Sequence, residues 1–116
     1  MAVVSRPPAF DEVWLVVLDP ALGSEIQKTR PCLVISPDEM NRHLRTVIIA
    51  PLTSAERPYP IRVPIMFQNK RGQIALDQIR AVDRQRLIRR LGTVSSKTGQ
   101  AVSRCLVELF TRVPSH

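Results

Sequence analysis

Apolar residues run together in Val13-Trp14-Leu15-Val16-Val17-Leu18, which predicts a strand buried on both faces and ended by Asp19-Pro20. The polar stretch 20–29, with Gly23, predicts a loop. A second apolar run, Arg30 to Ser36, predicts another strand, in which Pro31 is tolerable only at the start or on an edge. Ser36-Pro37-Asp38-Glu39 has the form of a helix start, with Ser36 as N-cap, Pro37 at the first position and Glu39 completing a capping box. Thr46 to Ala50 predicts a third strand, leading through Pro51-Leu52-Thr53-Ser54 into a Pro-rich loop that ends near Pro60.

Ile61-Arg62-Val63-Pro64-Ile65 alternates apolar and polar residues, the pattern of a half-buried strand, and Pro64 places it at an edge or a bulge. A turn is expected at Asn69 to Gly72, strand character again from Gln73 to Val82, and a short helical turn capped by Asp83 that runs to Leu87 and exits at Gly92. After Ser95 or Ser96, the residues Val102, Cys105, Leu106 and Leu109 recur at helical spacing and form one apolar stripe. Several short strands and a terminal helix predict a mainly β domain curled into a small barrel, with the helix packed on the sheet.

At 116 residues, with 44% hydrophobic and 4% aromatic, the chain builds one core, mostly from Val, Ile and Leu. One domain is expected over 1–116, with its core at about 10–112. The longest apolar run is far shorter than the ~20 residues of a membrane span. With no basic-then-apolar leader pattern either, a soluble cytoplasmic protein is expected, without a membrane. Cys32 and Cys105 lie in apolar runs without metal-ligand spacing and read as small buried hydrophobes, so no metal is expected. Trp14 reads as core, His43 as a surface residue, and the terminal His116 as disordered.

The formal charge of +7 is confined to one segment. Nine basic residues between Arg57 and Arg90 face only Asp77 and Asp83, which accounts for the whole excess. Fourteen of the 17 bases are Arg, whose planar fork suits phosphate, so this segment predicts a face for a polyanion.

Four groups of residues, in order, carry a family resemblance. They are Glu12-Val13-Trp14-Leu15-Val16-Val17-Leu18-Asp19-Pro20, then Gly23-Ser24-Glu25 with Thr29-Arg30-Pro31, then Val47 to Ser54, and last Leu76-Asp77-Gln78-Ile79-Arg80. From Glu12 to about Phe110 the chain resembles the MazF/PemK-type toxins of type II toxin–antitoxin systems. The resemblance implies an SH3-like barrel (CcdB/PemK-like) with a C-terminal helix and a homodimer. It also implies sequence-specific cleavage of single-stranded RNA without metal or cofactor, and a MazE-like antitoxin whose acidic segment covers the RNA-binding surface. Two positions depart from the family: Asp11 stands where Gly is frequent, and Ala75 where PemK-like members carry Arg. The second questions any acid–base pairing of positions 75 and 77.

Metal-free cleavage uses the RNA 2′-hydroxyl as nucleophile, so the protein needs only to manage protons and charge on the phosphate. Arg30 is the first candidate, as a phosphate clamp that stays charged at any working pH. Thr53 is expected to donate its hydroxyl to the same phosphate, and Glu25 either to act as base or to order Arg30. Lys28, Ser54, Asp77, Gln78 and Arg80 are expected to contact RNA. For Asp77 and Arg80, pairing with each other and contact with substrate stand as alternatives. Two other readings compete: a non-enzymatic toxin resembling CcdB that binds gyrase, and a barrel that binds nucleic acid without cutting it.

Overall fold

The computed structural model describes residues 6–20 and 22–114; His116 lies outside them. Seven strands form one antiparallel sheet: β1 (Glu12–Val17), β2 (Thr29–Val34), β3 (Thr46–Thr53), β4 (Arg62–Phe67), β5 (Lys70–Ala75), β6 (Arg80–Asp83) and β7 (Leu87–Thr93). Their order is β4-β5-β3-β2-β1-β7, with β6 also on β3. A short helix, α1 (Asp38–His43), joins β2 to β3, and α2 (Ser96–Phe110) closes the described chain.

Two apolar clusters hold the sheet. β2 feeds both, because successive strand residues face opposite sides. Leu33 joins Val13, Ala50, Leu52, Val63, Ile74, Leu76 and Val102 of α2, while Cys32 and Val34 join Val16, Leu18, Val47, Ile49 and Val82. The expected stripe on α2 faces the first cluster through Val102, Cys105 and Leu106, but Leu109 is largely exposed. Ser95 caps this helix, accepting from the Thr98 N–H at 3.2 Å, and Asp83 caps the 3-10 turn Arg84–Arg86 through the Gln85 N–H at 2.8 Å.

β4 lies at one edge, where Pro64 costs no ladder bond. β7 lies at the other edge, and a Cβ added to its Gly92 would stand 3.4 Å from the Phe67 ring of β4. The two edges therefore approach each other across that ring. The sheet is a half-barrel, mainly β with a C-terminal helix, as the SH3-like reading expects.

Several local expectations are corrected. β3 does not stop at Ala50: Thr46–Ile49 pair with β6, Leu52 and Thr53 pair with β5, and the fully buried Pro51 falls between the two partners. The tight turn lies at Gln68 and Asn69, not at 69–72. Both have positive φ (51° and 63°), as a two-residue hairpin requires, and β5 starts at Lys70. Ser36 does not cap α1. It is buried, donates to Asn41 Oδ1 at 2.6 Å and accepts from the Ile48 N–H at 3.0 Å, so Pro37 holds the cap position without a side-chain bond.

Leu87–Thr93, expected as a turn and exit, is a full strand on β1. Two register shifts in that pairing break the alternation along β1, so Trp14, Leu15 and Val17 are half-buried and the strand is not covered on both faces. Trp14 is thus only partly in the core. Cys32 is fully buried, which pushes its thiol up to about 12, whereas Cys105 is only half-buried. His43 is exposed beside Glu39. Among the described residues no helix is long and apolar enough to cross a membrane.

Candidate nucleic-acid interface

Where β3 passes from β6 to β5, its C-terminal end opens into a cleft. Its first section, about 240 Å³, is lined by Arg30 and Pro31 of β2, Thr53 and Ser54 at the end of β3, and Phe67, Lys70, Arg71 and Gly72 of the β4–β5 hairpin. Thr53 also lines a second section of about 350 Å³, with Ser24, Ala55, Arg57, Tyr59, Arg62, Asp77 and Gln78. A third, about 260 Å³, shares Asp77 and Gln78 and adds Glu25, Pro51 and Arg80. The three adjoin one another at these shared residues. Six cations line it, Arg30, Arg57, Arg62, Lys70, Arg71 and Arg80, against the acids Glu25 and Asp77; Arg62 is paired with Asp77, and Arg71 lies 3.8 Å from Glu56.

Arg30 donates through Nε to the Gln27 carbonyl at 2.9 Å. Among the described residues, neither of its terminal nitrogens has a protein acceptor. Thr53 is 8% exposed, and its Oγ1 accepts from the Ala55 N–H at 3.1 Å, which leaves its proton free for an acceptor in the cleft. Gly72 makes this arrangement possible. A Cβ there would lie 2.6 Å from the Thr53 carbonyl oxygen, so β5 reaches Thr53 only without a side chain at that position.

Of the residues expected to act, the cleft gathers Arg30, Thr53, Ser54, Glu25, Asp77, Gln78 and Arg80. Lys28 is not among the lining residues. It is exposed, in the left-handed region at φ 70°, with its N–H donated to Asp19 at 2.8 Å. Glu25 does not order Arg30, because its Oε1 accepts from the Leu22 N–H at 2.6 Å and it lines the far section.

Asp77 does not pair with Arg80, which donates to the Leu18 carbonyl at 3.3 Å. Its partner is Arg62, through two bonds of 2.5 and 3.0 Å. The hydrogen bond from Arg62, opposed by burial, holds the Asp77 carboxyl below its ordinary 3.8. Arg62 is the cross-strand neighbour of Ala75. Gln78 accepts from the Ile26 N–H at 3.3 Å and ties the 22–27 loop to the cleft.

Sequence reasoning missed Arg57, Tyr59, Arg62, Lys70 and Arg71 as individual site residues, although four of them belong to the basic segment it singled out. Among the described residues no three His, Cys, Asp or Glu side chains are grouped as a metal ion would need.

The chain as a whole is similar to known proteins. A family model described as "PemK-like, MazF-like toxin of type II toxin-antitoxin system" matches residues 10–110. Endoribonuclease MazF9 of Mycobacterium tuberculosis is 38% identical over 95 residues, which span 73% of this chain and 80% of the relative. The crystal structure of MazF from Deinococcus radiodurans superposes with a TM-score of 0.80 at 25% identity, covering 90% of this chain and 97% of that one. A MazE-MazF structure from the same organism superposes with a TM-score of 0.70 at 26% identity, covering 90% and 97%.

Proposed function

The chain belongs to the PemK-like, MazF-like toxins of type II toxin–antitoxin systems, and on that premise we propose that the cleft around Arg30 and Thr53 is where it cuts single-stranded RNA. It is an endoribonuclease toxin, as its M. tuberculosis relative is named. The gyrase-binding alternative falls away, since the family matched is PemK/MazF.

The observation that carries the assignment is convergence. Arg30, Thr53 and Ser54, singled out in the sequence with the help of the family resemblance, line one pocket together with Lys70 and Arg71. A phosphate there would meet the two open ends of the Arg30 fork and the Thr53 hydroxyl, with two further cations alongside. The RNA 2′-hydroxyl gives up its proton to solvent water as it attacks the adjacent phosphorus, and these donors stabilise the charge that builds on its oxygens. The bond to the 5′-oxygen breaks and that oxygen takes up a proton from solvent water, leaving a 2′,3′-cyclic phosphate and a 5′-hydroxyl. The nucleophile comes from the substrate and the positive charge from arginine and lysine, so the reaction has no step that calls for a metal or cofactor.

In the adjoining sections, Asp77 and Gln78 present acceptors and donors to base edges, and Arg80 and Glu25 flank the strand beyond them. This is the part of the cleft that reads sequence. Lys28 stays outside this path.

The chain's protein partner is an antitoxin, the arrangement named in the MazE-MazF structure. In our reading it resembles MazE and lays an acidic, flexible segment over the same cations that hold RNA. The toxin works on cytoplasmic mRNA as a homodimer, for which the exposed Val107 and Phe110 of α2 offer apolar surface.

The test is to incubate antitoxin-free protein with a long unstructured RNA, with and without EDTA, and to map new ends. Discrete cuts that survive EDTA and carry 5′-hydroxyls are expected. Intact RNA after treatment with folded protein would refute the assignment.

A further inference from the structure

Arg62 is more enclosed than the acid it pairs with: its side chain is 8% exposed, and that of Asp77 is 21% exposed. Few arginines are buried so far unless every part of the guanidinium has a partner. Here Nε and Nη2 hold the Asp77 carboxylate in a fork, Nη1 reaches the Ala55 carbonyl at 3.5 Å, and the flat face stands 5.4 Å from the Tyr59 ring centre. Three separate segments meet on this one side chain: strand β4, the 54–60 loop and the 3-10 turn Leu76–Gln78. The loop is fastened on its other side too, by a pair of bonds between the Gln73 side chain and the Arg57 backbone, each 3.0 Å.

We propose that Arg62 is the positioning residue of the RNA cleft, setting the Asp77–Gln78 turn and the 54–60 loop in the one orientation that reads bases. The inference rests on the RNA-cleavage reading of the cleft and adds a residue to it. Three of the five Arg62 N–H donors are spent inside the protein. Arg62 acts through Asp77, whose carboxylate it keeps as a fixed acceptor suited to the N–H edge of a base, such as an exocyclic amino group. It acts also through Gln78, whose bond to the Ile26 N–H carries the same order to the 22–27 loop on the opposite wall. Because the interaction is made before RNA arrives, its loss affects binding and base selection more than the chemical step beside Arg30.

Steady-state cleavage of a short RNA, together with cut-site mapping on a mixed-sequence RNA, tests this in Arg62→Ala, Arg62→Lys, Asp77→Asn and the Arg62→Ala/Asp77→Asn pair. Arg62→Ala is expected to raise KM about ten-fold or more, to leave kcat within about three-fold, and to loosen base preference, the pattern of lost positioning. Lysine keeps the charge but not the fork and should recover part of the loss. Asp77→Asn should reproduce the defect, and the pair should be no worse than the poorer single variant.

Wild-type KM and base preference in both single variants would overturn the proposal. So would a fall in kcat at unchanged KM, which would put Arg62 in the chemical step. If Arg62→Ala does not fold, the isosteric Asp77→Asn decides by the same criteria. Wild-type protein that cuts no RNA would refute the cleavage reading instead. Kd values of the same variants for an RNA lacking the reactive 2′-hydroxyl would then settle the role of Arg62 separately.

Discussion

Arg30 uses its Nε inside the protein, on the Gln27 carbonyl, and keeps its two terminal nitrogens for the cleft. That division makes its substitution selective. Arg30→Ala should lower single-turnover cleavage by about 10²–10³, the usual cost of a lost donor to a developing oxyanion, while the melting curve stays in place. Arg30→Lys keeps the charge without the fork and should fall between. Thr53→Val keeps the β-branched shape but removes a hydroxyl that accepts from the Ala55 N–H, so it should lose cleavage together with some stability. Full activity in Arg30→Ala would remove the phosphate clamp from the mechanism. Arg30 was legible from its planar, permanently charged fork, and Thr53 from the family resemblance carried by Val47 to Ser54. Arg62, Lys70 and Arg71 were visible only as charge. What brings them to the cleft is the register of the β4–β5 hairpin, set by left-handed Gln68 and Asn69, residues without the Asn-Gly pattern that announces such a turn. Lys28 misled for a related reason: proximity in the chain to Arg30 says nothing of direction once the backbone at 28 takes a positive φ.

At the scale of elements, the site depends on β5 lying close against the end of β3, and Gly72 is the residue that permits it. A methyl group at 72 would press on the Thr53 carbonyl oxygen at 2.6 Å, a backbone atom that cannot swing away. Gly72→Ala should therefore cost about 1–3 kcal/mol of stability, as overpacked positions do, and displace Thr53 from Arg30. Urea melts would read the first effect and cleavage per folded molecule the second. Reduced stability with undiminished cleavage would show that the approach of β3 and β5 does not set the position of Thr53. The same strands explain what the hydrophobic pattern could and could not reveal. β2 and α2 were read as elements, although β2 runs from Thr29 to Val34 where Arg30 to Ser36 was expected, and Leu109 leaves the apolar stripe of α2. β3 was cut short at Pro51 because a proline in a central strand is normally excluded, and only the change of partner from β6 to β5 makes room for one. β7 was missed because Leu87–Thr93 carries two adjacent arginines and a glycine, and its bulged pairing with β1 erases the alternation that marks a strand.

At the scale of the whole molecule, the N-terminal arm, β1 and β7 are joined through Glu12, which lies far before the basic segment in the chain yet binds its last residue, Arg90. Its carboxylate, 6% exposed, takes Arg6 at 2.5 Å and the Ala9 N–H at 2.7 Å from the N-terminal arm, Trp14 Nε1 at 3.1 Å from its own strand, and Arg90 Nε at 2.8 Å from β7. Burial alone would raise this carboxyl, but the bonds from Arg6, Ala9 and Trp14 outweigh it and bring it from 4.5 to about 2. A carboxyl depressed on folding stabilises the protein above its unfolded pKa and ceases to do so as pH falls through its folded one. Glu12 thus contributes fully above about pH 4.5, loses its contribution between there and about pH 2, and at neutral pH is worth at most about 3 kcal/mol by the size of the depression. Asp77, also depressed, adds to the loss in acid, while Asp11, raised by burial and by Asp38, acts in the opposite sense. Glu12→Gln should therefore be clearly less stable than wild type at pH 7, and the gap between their urea midpoints should narrow steadily below pH 4.5 and nearly vanish at pH 2. A gap independent of pH would mean that Glu12 acts by shape and neutral hydrogen bonding. The arm, β1 and β7 would then be held together by packing, without help from the charge they share.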